Sequence, residues 1–273
     1  MMNSPEKKAP VALSIAGTDP SGGAGVNVDT QVFRDFGFHG AAAITAVVWQ
    51  NTQGVRGWRE LEPRELREQM RAVADDFDIK AVKVGMVPTG DLILEVRNFL
   101  ESLDESVPVV FDPVMVGGSG DRALMAPTGR RALESLSRVA GLVTPNGDEA
   151  KEMLGNSKGS QKPQALVEGL LQCGWERVLL KGGHLRADPK LPVVDWYGDE
   201  AGVVELKGVE PVEWDVRGTG CQLSSAIAVE RAQGKSWLEA VEAGRAYLQK
   251  LLATRTSSLG KGRPMIVRVS GDE

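Results

Sequence analysis

The feature that most constrains the fold is an alternation: short runs of apolar and β-branched residues, each followed by a longer stretch in which apolar residues return at helical spacing. That order predicts βαβ units on a largely parallel sheet. "PVALSIAG" is the first strand, and residues 26–36 form the helix after it, closed by Gly37. "AAAITAVVWQ" reads as the second strand, ending at the turn "NTQG". "IKAVKVGM" and "VPVVFDPVM" repeat the plan, with a helix over 91–103 between them and another over 128–139 after them. "AGLVTPN" and "WERVLLKGG" are further strands, separated by helical stretches over 148–154 and 163–173. The pattern then breaks at "VVDWYGDEAGVVELKG", which alternates around a Gly-bounded turn and predicts a small β-hairpin, a flap near the site. Two helices end the chain, the second opening with "SWLE", where Ser236 and Glu239 have capping-box spacing.

A chain of 273 residues with 42% hydrophobic content can bury a large core, and no repeat, low-complexity tract or long linker divides it. It is read as a single domain over 1–273, with residues 1–10 a flexible N-terminal tail. Thirty-two basic against 37 acidic residues leave a net charge of −5, which argues against nucleic acid or an anionic membrane as partner and for a small molecule. Two cysteines cannot make a disulfide framework, and "MMNSPEKKAP" has no apolar run of the signal-peptide kind. No stretch reaches the roughly 18 apolar residues of a membrane span, so a cytoplasmic protein is expected.

Open parallel sheets bind ligands at the C-terminal edges of their strands, and the unusual residues collect there. The first strand runs into "GTDPSGGAG", residues 17–25, whose glycines allow tight turns and close approach of backbone N–H groups to a ligand. It is neither a Walker A loop nor G-x-G-x-x-G, and alone it is equally a plain strand-to-helix connection. Near the other end, "GTGC" (residues 218–221) stands where a helix begins, the backbone position best suited to holding an anion. A thiol there is expected to have a lowered pKa, although a buried, inert cysteine packing among Leu223, Ala226 and Ile227 is the alternative.

Taken together, "AGTDPSGGAG", "ITAVVWQNTQGV", "DPVMVGGSGD", "TPNGDEA", "LLKGGH" and "GTGC", in that order, resemble the hydroxymethylpyrimidine/phosphomethylpyrimidine kinases of thiamin synthesis, members of the ribokinase superfamily. The resemblance runs over residues 11–252. It implies a ribokinase-like α/β fold, a three-layer α/β/α sandwich around a mostly parallel sheet. It also implies ATP as co-substrate, Mg²⁺ as metal, a homodimer, and phosphorylation of the hydroxymethyl group of an aminopyrimidine followed by a second phosphorylation of the monophosphate. By the same resemblance Gly218, Thr219, Gly220 and Cys221 cradle the transferring phosphoryl group, with Cys221 as the candidate base. Gly17, Asp29, Gln50 and Met86 contact the substrate; the Gln50 amide can pair with a ring nitrogen and an amino group. Lys181, Asn146 and Thr219 bind ATP, while Asp112 and Glu149 hold Mg²⁺ mostly through water.

Three positions depart from the family pattern. Arg217 stands where a histidine is common, Gly118 where a lysine is often found, and "GKGRPMIVRV" replaces a His-bearing ending. An arginine at 217 could add phosphate affinity or face solvent. A pyridoxal kinase of the same superfamily is the nearest alternative function. A non-catalytic pyrimidine sensor is a second, needing neither Cys221 nor Asp112, and a nicotinamide dehydrogenase is disfavoured because no G-x-G-x-x-G opens the first helix.

Overall fold

The computed structural model describes residues 9–116, 123–126, 129–155, 162–183, 185, 190–211 and 215–268, of which 129–131 are described in backbone only. Residues 1–8 of the expected tail, Gly118, Thr128 at the start of one expected helix, and His184 of "KGGH" lie outside that set. In chain order the elements are β1 (Val11–Ala16), α1 (Gly25–Asp35), β2 (His39–Ile44), β3 (Ala46–Asn51), β4 (Gly54–Glu60), α2 (Pro63–Ala74), β5 (Ile79–Val84) and α3 (Gly90–Glu101). Then come β6 (Val109–Phe111), α4 (Gly129–Ser135) with a 3₁₀ turn at Leu136–Arg138, β7 (Leu142–Val143), α5 (Gly147–Met153), α6 (Pro163–Gln172) and β8 (Val178–Leu180). The last are β9 (Trp196–Asp199), β10 (Gly202–Glu205), α7 (Thr219–Ala232), α8 (Trp237–Thr254), β11 (Thr256–Ser257) and β12 (Met265–Ile266).

Among the described residues, eight strands form the main sheet in the order β10-β9-β8-β7-β6-β5-β1-β2. Pairing is parallel from β2 across to β8, and β9 is antiparallel to both its neighbours. Successive strand residues point to opposite faces, and the sequence spends apolar side chains on both. Leu13, Ile15, Val82, Val84 and Phe111 pack against Leu66 and Met70 of α2, Ile93 and Val96 of α3, and Val167 of α6. Their neighbours Ala12, Ala81, Val110 and Leu142 face the other way, onto Phe33 of α1, Ile227 of α7 and Val241 of α8. This is the expected three-layer sandwich.

Three expectations change. The run "AAAITAVVWQ" is two strands, not one. Thr45 breaks it: its N–H donates to the Ala16 carbonyl at 3.0 Å and its hydroxyl to the Met86 carbonyl at 2.6 Å, anchoring the chain over the end of β1. Beyond Thr45 the chain leaves the main sheet, and β3 pairs antiparallel with β4 in a separate two-stranded sheet. Second, the sequence reading had no α2. Only Leu66 and Met70 are buried on it, too thin a stripe to give strong periodicity, although Pro63 in the first turn and a Glu62/Glu65 capping box mark its start. Third, the hairpin over "VVDWYGDEAGVVELKG" is no flap at the site. It supplies β9 and β10, which extend the sheet at its edge, because β9 bonds to β8. The hairpin that reaches the ligand pocket is β3–β4.

Candidate active site

Two glycine-bearing loops meet back to back. Gly25, the first residue of α1, has φ +58°, and a Cβ there would lie 2.2 Å from the Gly17 carbonyl oxygen. Gly218, ahead of α7, has φ +75°, and a Cβ on it would lie 2.0 Å from the Gly23 carbonyl oxygen. Only glycine combines that backbone with that approach. Asp19 shapes the first loop, accepting from the Ser21 N–H at 2.9 Å, the Ser21 hydroxyl at 2.7 Å and the Gly23 N–H at 3.1 Å. The second loop delivers the first turn of α7, whose leading N–H groups have no partners within the helix and carry about half a unit of positive charge.

In front of these loops lies a pocket built from strand ends. Gly17 and Thr18 follow β1, Met86 follows β5, Asp112 and Val114 follow β6, Asn146 and Glu149 follow β7, and Lys181 follows β8. Gly218, Thr219, Gly220 and Cys221 form another wall, and Val48 and Gln50 of β3 come from the hairpin. Eleven chain positions singled out from sequence therefore converge: 17, 50, 86, 112, 146, 149, 181 and 218–221. Met86 and Val48 belong to a small apolar cluster with Ala46 and Leu124. That cluster gives the pocket one greasy side, next to Gly17, where an added Cβ would meet Met86 Sδ at 3.0 Å.

Asp29 is the exception among the expected substrate contacts. It lies beneath the pocket and does not line it. Its carboxylate is wholly buried and used up inside the protein: it accepts from Ser14 Oγ at 2.6 Å, Ser225 Oγ at 2.9 Å, and Lys83 Nζ at 2.8 and 3.0 Å. The helix stripe explains this, since Asp29 stands among Val26, Val28, Val32 and Phe33 on the buried side of α1.

The polar end holds a compact charge cluster. Lys181 Nζ lies 2.6 Å from Asp112 Oδ1 and 3.8 Å from Glu149 Oε2. Thr144 Oγ1 donates to Asp112 at 3.2 Å. A Cβ on Gly220 would lie 3.3 Å from Lys181 Nζ and 3.4 Å from Asp112 Oδ2, so the anion loop and the cluster are in contact range. Burial acts to raise the Asp112 carboxyl, but Lys181 and Lys83 override it and hold it below the usual range. Glu149 goes the other way: burial, helped by the charge of Asp112 and opposed by Lys181, pushes it up to about 7. Among the described residues, no group of three or more His, Cys, Asp or Glu is placed to hold a metal.

Cys221 corrects the expectation of a lowered pKa. Burial dominates and pushes the thiol up to about 11; the attraction of Lys83 works against this, and Asp29 and Asp112 add to it. The sulfur is a protonated thiol at neutral pH. The helix start alone suggested a thiolate, but burial, with the two carboxylates beneath the sulfur, acts in the opposite direction.

Two residues outside the expected site are central. Lys83 is fully buried in β5, lines the pocket and pairs with Asp29. Burial would discharge it, but the Asp29 carboxylate, with Asp112 beyond, overrides that and raises its pKa. A lysine inside a strand otherwise buried on both faces was a legible sign. Arg217 is also buried, and donates to Asp19 Oδ2 at 3.1 Å, Ser21 Oγ at 3.1 Å, Gln50 Oε1 at 2.6 Å and the Asn51 carbonyl. It neither faces solvent nor has those N–H groups to spare for phosphate.

A mixed sheet between two helical layers, with glycine loops and a cation at its strand ends, defines the ribokinase-like class of small-molecule kinases. Within that class, the phosphomethylpyrimidine kinase family model matches residues 19–266. The hydroxymethylpyrimidine/phosphomethylpyrimidine kinase of Rhizobium meliloti (strain 1021) is 38% identical over 257 residues, covering 93% of this chain and 94% of its own length. The crystal structure of phosphomethylpyrimidine kinase from Clostridium difficile 630 superposes with a TM-score of 0.74 at 34% identity, over 89% of this chain and 99% of that one. An ADP complex of Bacillus subtilis pyridoxal kinase superposes with a TM-score of 0.81 at 25% identity, over 95% and 97% of the two chains. The chain belongs to the phosphomethylpyrimidine kinase family and is a kinase. No helix among its described residues is long and apolar enough to cross a membrane.

Proposed function

We propose that the protein transfers the terminal phosphoryl group of ATP to the hydroxymethyl oxygen of 4-amino-5-hydroxymethyl-2-methylpyrimidine, and then phosphorylates the monophosphate. The observation that carries this reading is the contact between the loop at 218–221 and the Asp112–Lys181 pair, in one pocket with Gln50. It joins an anion cradle, a cation and a hydrogen-bonding edge for a heterocycle. Relatives that cover nearly the whole chain and carry that activity in their names support it.

Phosphoryl transfer asks mainly for placement and for charge stabilisation on the equatorial oxygens. The N–H groups of Gly218, Thr219, Gly220 and Cys221 would face the transferring group, because they open α7 into the pocket. Lys181 would sit against the ATP phosphates, with Asn146 and Thr219 beside it. Met86 and Gly17 would flank the ring, and Gln50 would meet its polar edge. Cys221 would touch the hydroxymethyl group as a thiol. With the thiol pushed up rather than down, the hydroxyl proton would pass to an oxygen of the phosphoryl group as the new O–P bond forms and the bond to the leaving ADP breaks, a step for which a loose transition state needs little prior deprotonation.

Asp112 and Glu149 fit a water-linked Mg²⁺. Both are buried oxygen donors beside one ammonium, and Glu149 titrates high because burial penalises its charge and the neighbouring Asp112 adds to that, both of which a cation would relieve. When bound, the ion would offset the charge of the phosphate oxygens.

The test is mass detection of products from the aminopyrimidine with ATP and Mg²⁺. Monophosphate and diphosphate are expected. No phosphorylated product overturns the reading, and turnover of pyridoxal alone moves the chain to the pyridoxal kinases, which it also resembles in fold.

A further inference from the structure

Arg217 stands directly before the anion loop, and its side chain reaches the pocket's other wall. Its backbone N–H donates to the Pro264 carbonyl at 2.9 Å, which fixes the base of the side chain. Nη1 donates to Ser21 Oγ and to the Asn51 carbonyl, and Nη2 donates to Asp19 Oδ2 and to Gln50 Oε1. The hydrogens of both terminal nitrogens are thereby committed, to the first loop and to the β3–β4 turn.

The consequence falls on Gln50. A carboxamide can turn over and exchange its oxygen and nitrogen, so a glutamine ordinarily offers a ligand either a donor or an acceptor. Here both neighbours forbid the exchange. A guanidinium has no acceptor, so the Gln50 oxygen must face Arg217, at 2.6 Å. The Thr18 carbonyl has no donor, so the Gln50 nitrogen must face it, at 3.0 Å. Turning the amide would set N–H against N–H and oxygen against oxygen, leaving two polar groups without partners. One N–H of Nε2 remains, and Gln50 lines the pocket.

We propose that Arg217 is a specificity-determining positioning residue: by holding the Gln50 carboxamide in one orientation, it makes that wall of the pocket a hydrogen-bond donor, which selects a substrate edge presenting a ring nitrogen. The claim rests on the pyrimidine-kinase reading and sharpens it, because the sequence alone allowed Gln50 to pair with a ring nitrogen and an amino group together. It also accounts for the arginine, since a shorter or singly donating side chain could not hold Asp19, Ser21, the hairpin turn and Gln50 at once.

The experiment compares the aminopyrimidine with two analogues in which each ring nitrogen is replaced in turn by C–H, in the parent protein and in Arg217→Met and Gln50→Glu. In the parent, one replacement should raise KM at least tenfold. In Arg217→Met the KM for the parent substrate should rise at least fivefold, kcat should fall by a smaller factor, and the KM for ATP should move less than twofold. The penalty for the sensitive analogue should shrink below threefold in that variant, because the Thr18 carbonyl alone then holds the amide, and turning it leaves one polar group without a partner where two were left before. Gln50→Glu keeps an oxygen for Arg217 but removes the donor, so it should erase the same discrimination; Arg217→Lys, with one nitrogen for these four acceptors, should shrink the penalty as Arg217→Met does, and it carries the test if Arg217→Met does not fold. Parent discrimination retained in Arg217→Met, or a KM loss shared equally by ATP, overturns the proposal. Insensitivity of the parent to both ring nitrogens also overturns it. Failure of the parent protein to phosphorylate the pyrimidine at all removes the functional reading as well; failure confined to the variants or the analogues removes only the role of Arg217.

Discussion

At the scale of single residues, what decides chemistry is what surrounds an atom rather than its place in a motif. Cys221 and Cys173 show this. Cys173 caps the end of α6 and is exposed, whereas Cys221 faces the pocket above Lys83, Asp29 and Asp112 and its thiol is pushed up to about 11. Alkylation runs through the thiolate, so the fraction ionised sets the rate. With iodoacetamide at pH 7, Cys173 should be labelled first, and Cys221 should react slowly, its rate rising about tenfold per pH unit between about pH 8 and 10. Peptide mapping of the alkylated protein checks this, and faster labelling of Cys221 at pH 7 would refute it. The motif put Cys221 at the pocket but told nothing of its burial, which dominates the upward shift, or of the carboxylates that add to it, Asp29 on α1 and Asp112 just after β6, both far away in sequence. Asp29 failed for the same reason. Its position on an apolar stripe told of burial, but its partner Lys83 lies 54 residues away.

At the scale of elements, local signals were read well and pairings poorly. The α5 start is a case where one element does two jobs. Asn146 accepts from the Glu149 N–H at 2.9 Å and Glu149 Oε2 accepts from the Asn146 N–H at 2.7 Å, a capping box that closes the first turn. The same Glu149 carboxylate faces Lys181 and is pushed up to about 7, against 4.5 for an ordinary glutamate. The folded protein therefore holds a proton that the unfolded chain has lost in this range. The corresponding stability is fully present below about pH 4.5 and is lost as pH rises through about 7, amounting to about 3 kcal/mol. Asp112, shifted downward, acts only at pH values below this window. Urea unfolding at pH 5 and pH 8 should show the parent losing stability, and Glu149→Gln, which keeps the capping box but cannot ionise, should lose much less. Equal losses in the two proteins would assign the slope elsewhere. By contrast, nothing local marked where the second strand leaves the sheet. Thr45 turns there because of contacts with Ala16 and Met86, made only once β1 and β5 are paired.

At the scale of the molecule, the alternating apolar runs were enough for the layers but not for the strand order. Leu13 and Ala12 point to opposite helical layers whatever the neighbours of β1 are, and β1 lies between β5 and β2, a choice made by crossovers rather than by its own residues. What ties the layers at the centre is the buried pair of Asp29 and Lys83. Asp29 comes from α1, Lys83 from β5, Ser14 from β1 and Ser225 from α7, and both charged side chains are fully inaccessible. Two buried charges cost much of what their attraction returns, so the pair itself adds little net stability, but either one alone is left uncompensated in a dry place. Lys83→Met should therefore destabilise the protein by about 3–5 kcal/mol. Asp29→Asn should also cost stability, because it leaves the ammonium without a counter-charge. The double variant Asp29→Asn with Lys83→Met should be more stable than the sum of the two losses predicts, by about 2 kcal/mol or more, since the carboxamide introduced at position 29 would accept from one serine hydroxyl and donate to the other without a charge to balance. Urea unfolding of the four proteins at pH 7 measures that coupling. Losses that simply add would mean the two charges are stabilised independently, and the bond between α1 and the central strand would then have to be sought in the apolar contacts of Phe33 and Ala81 alone.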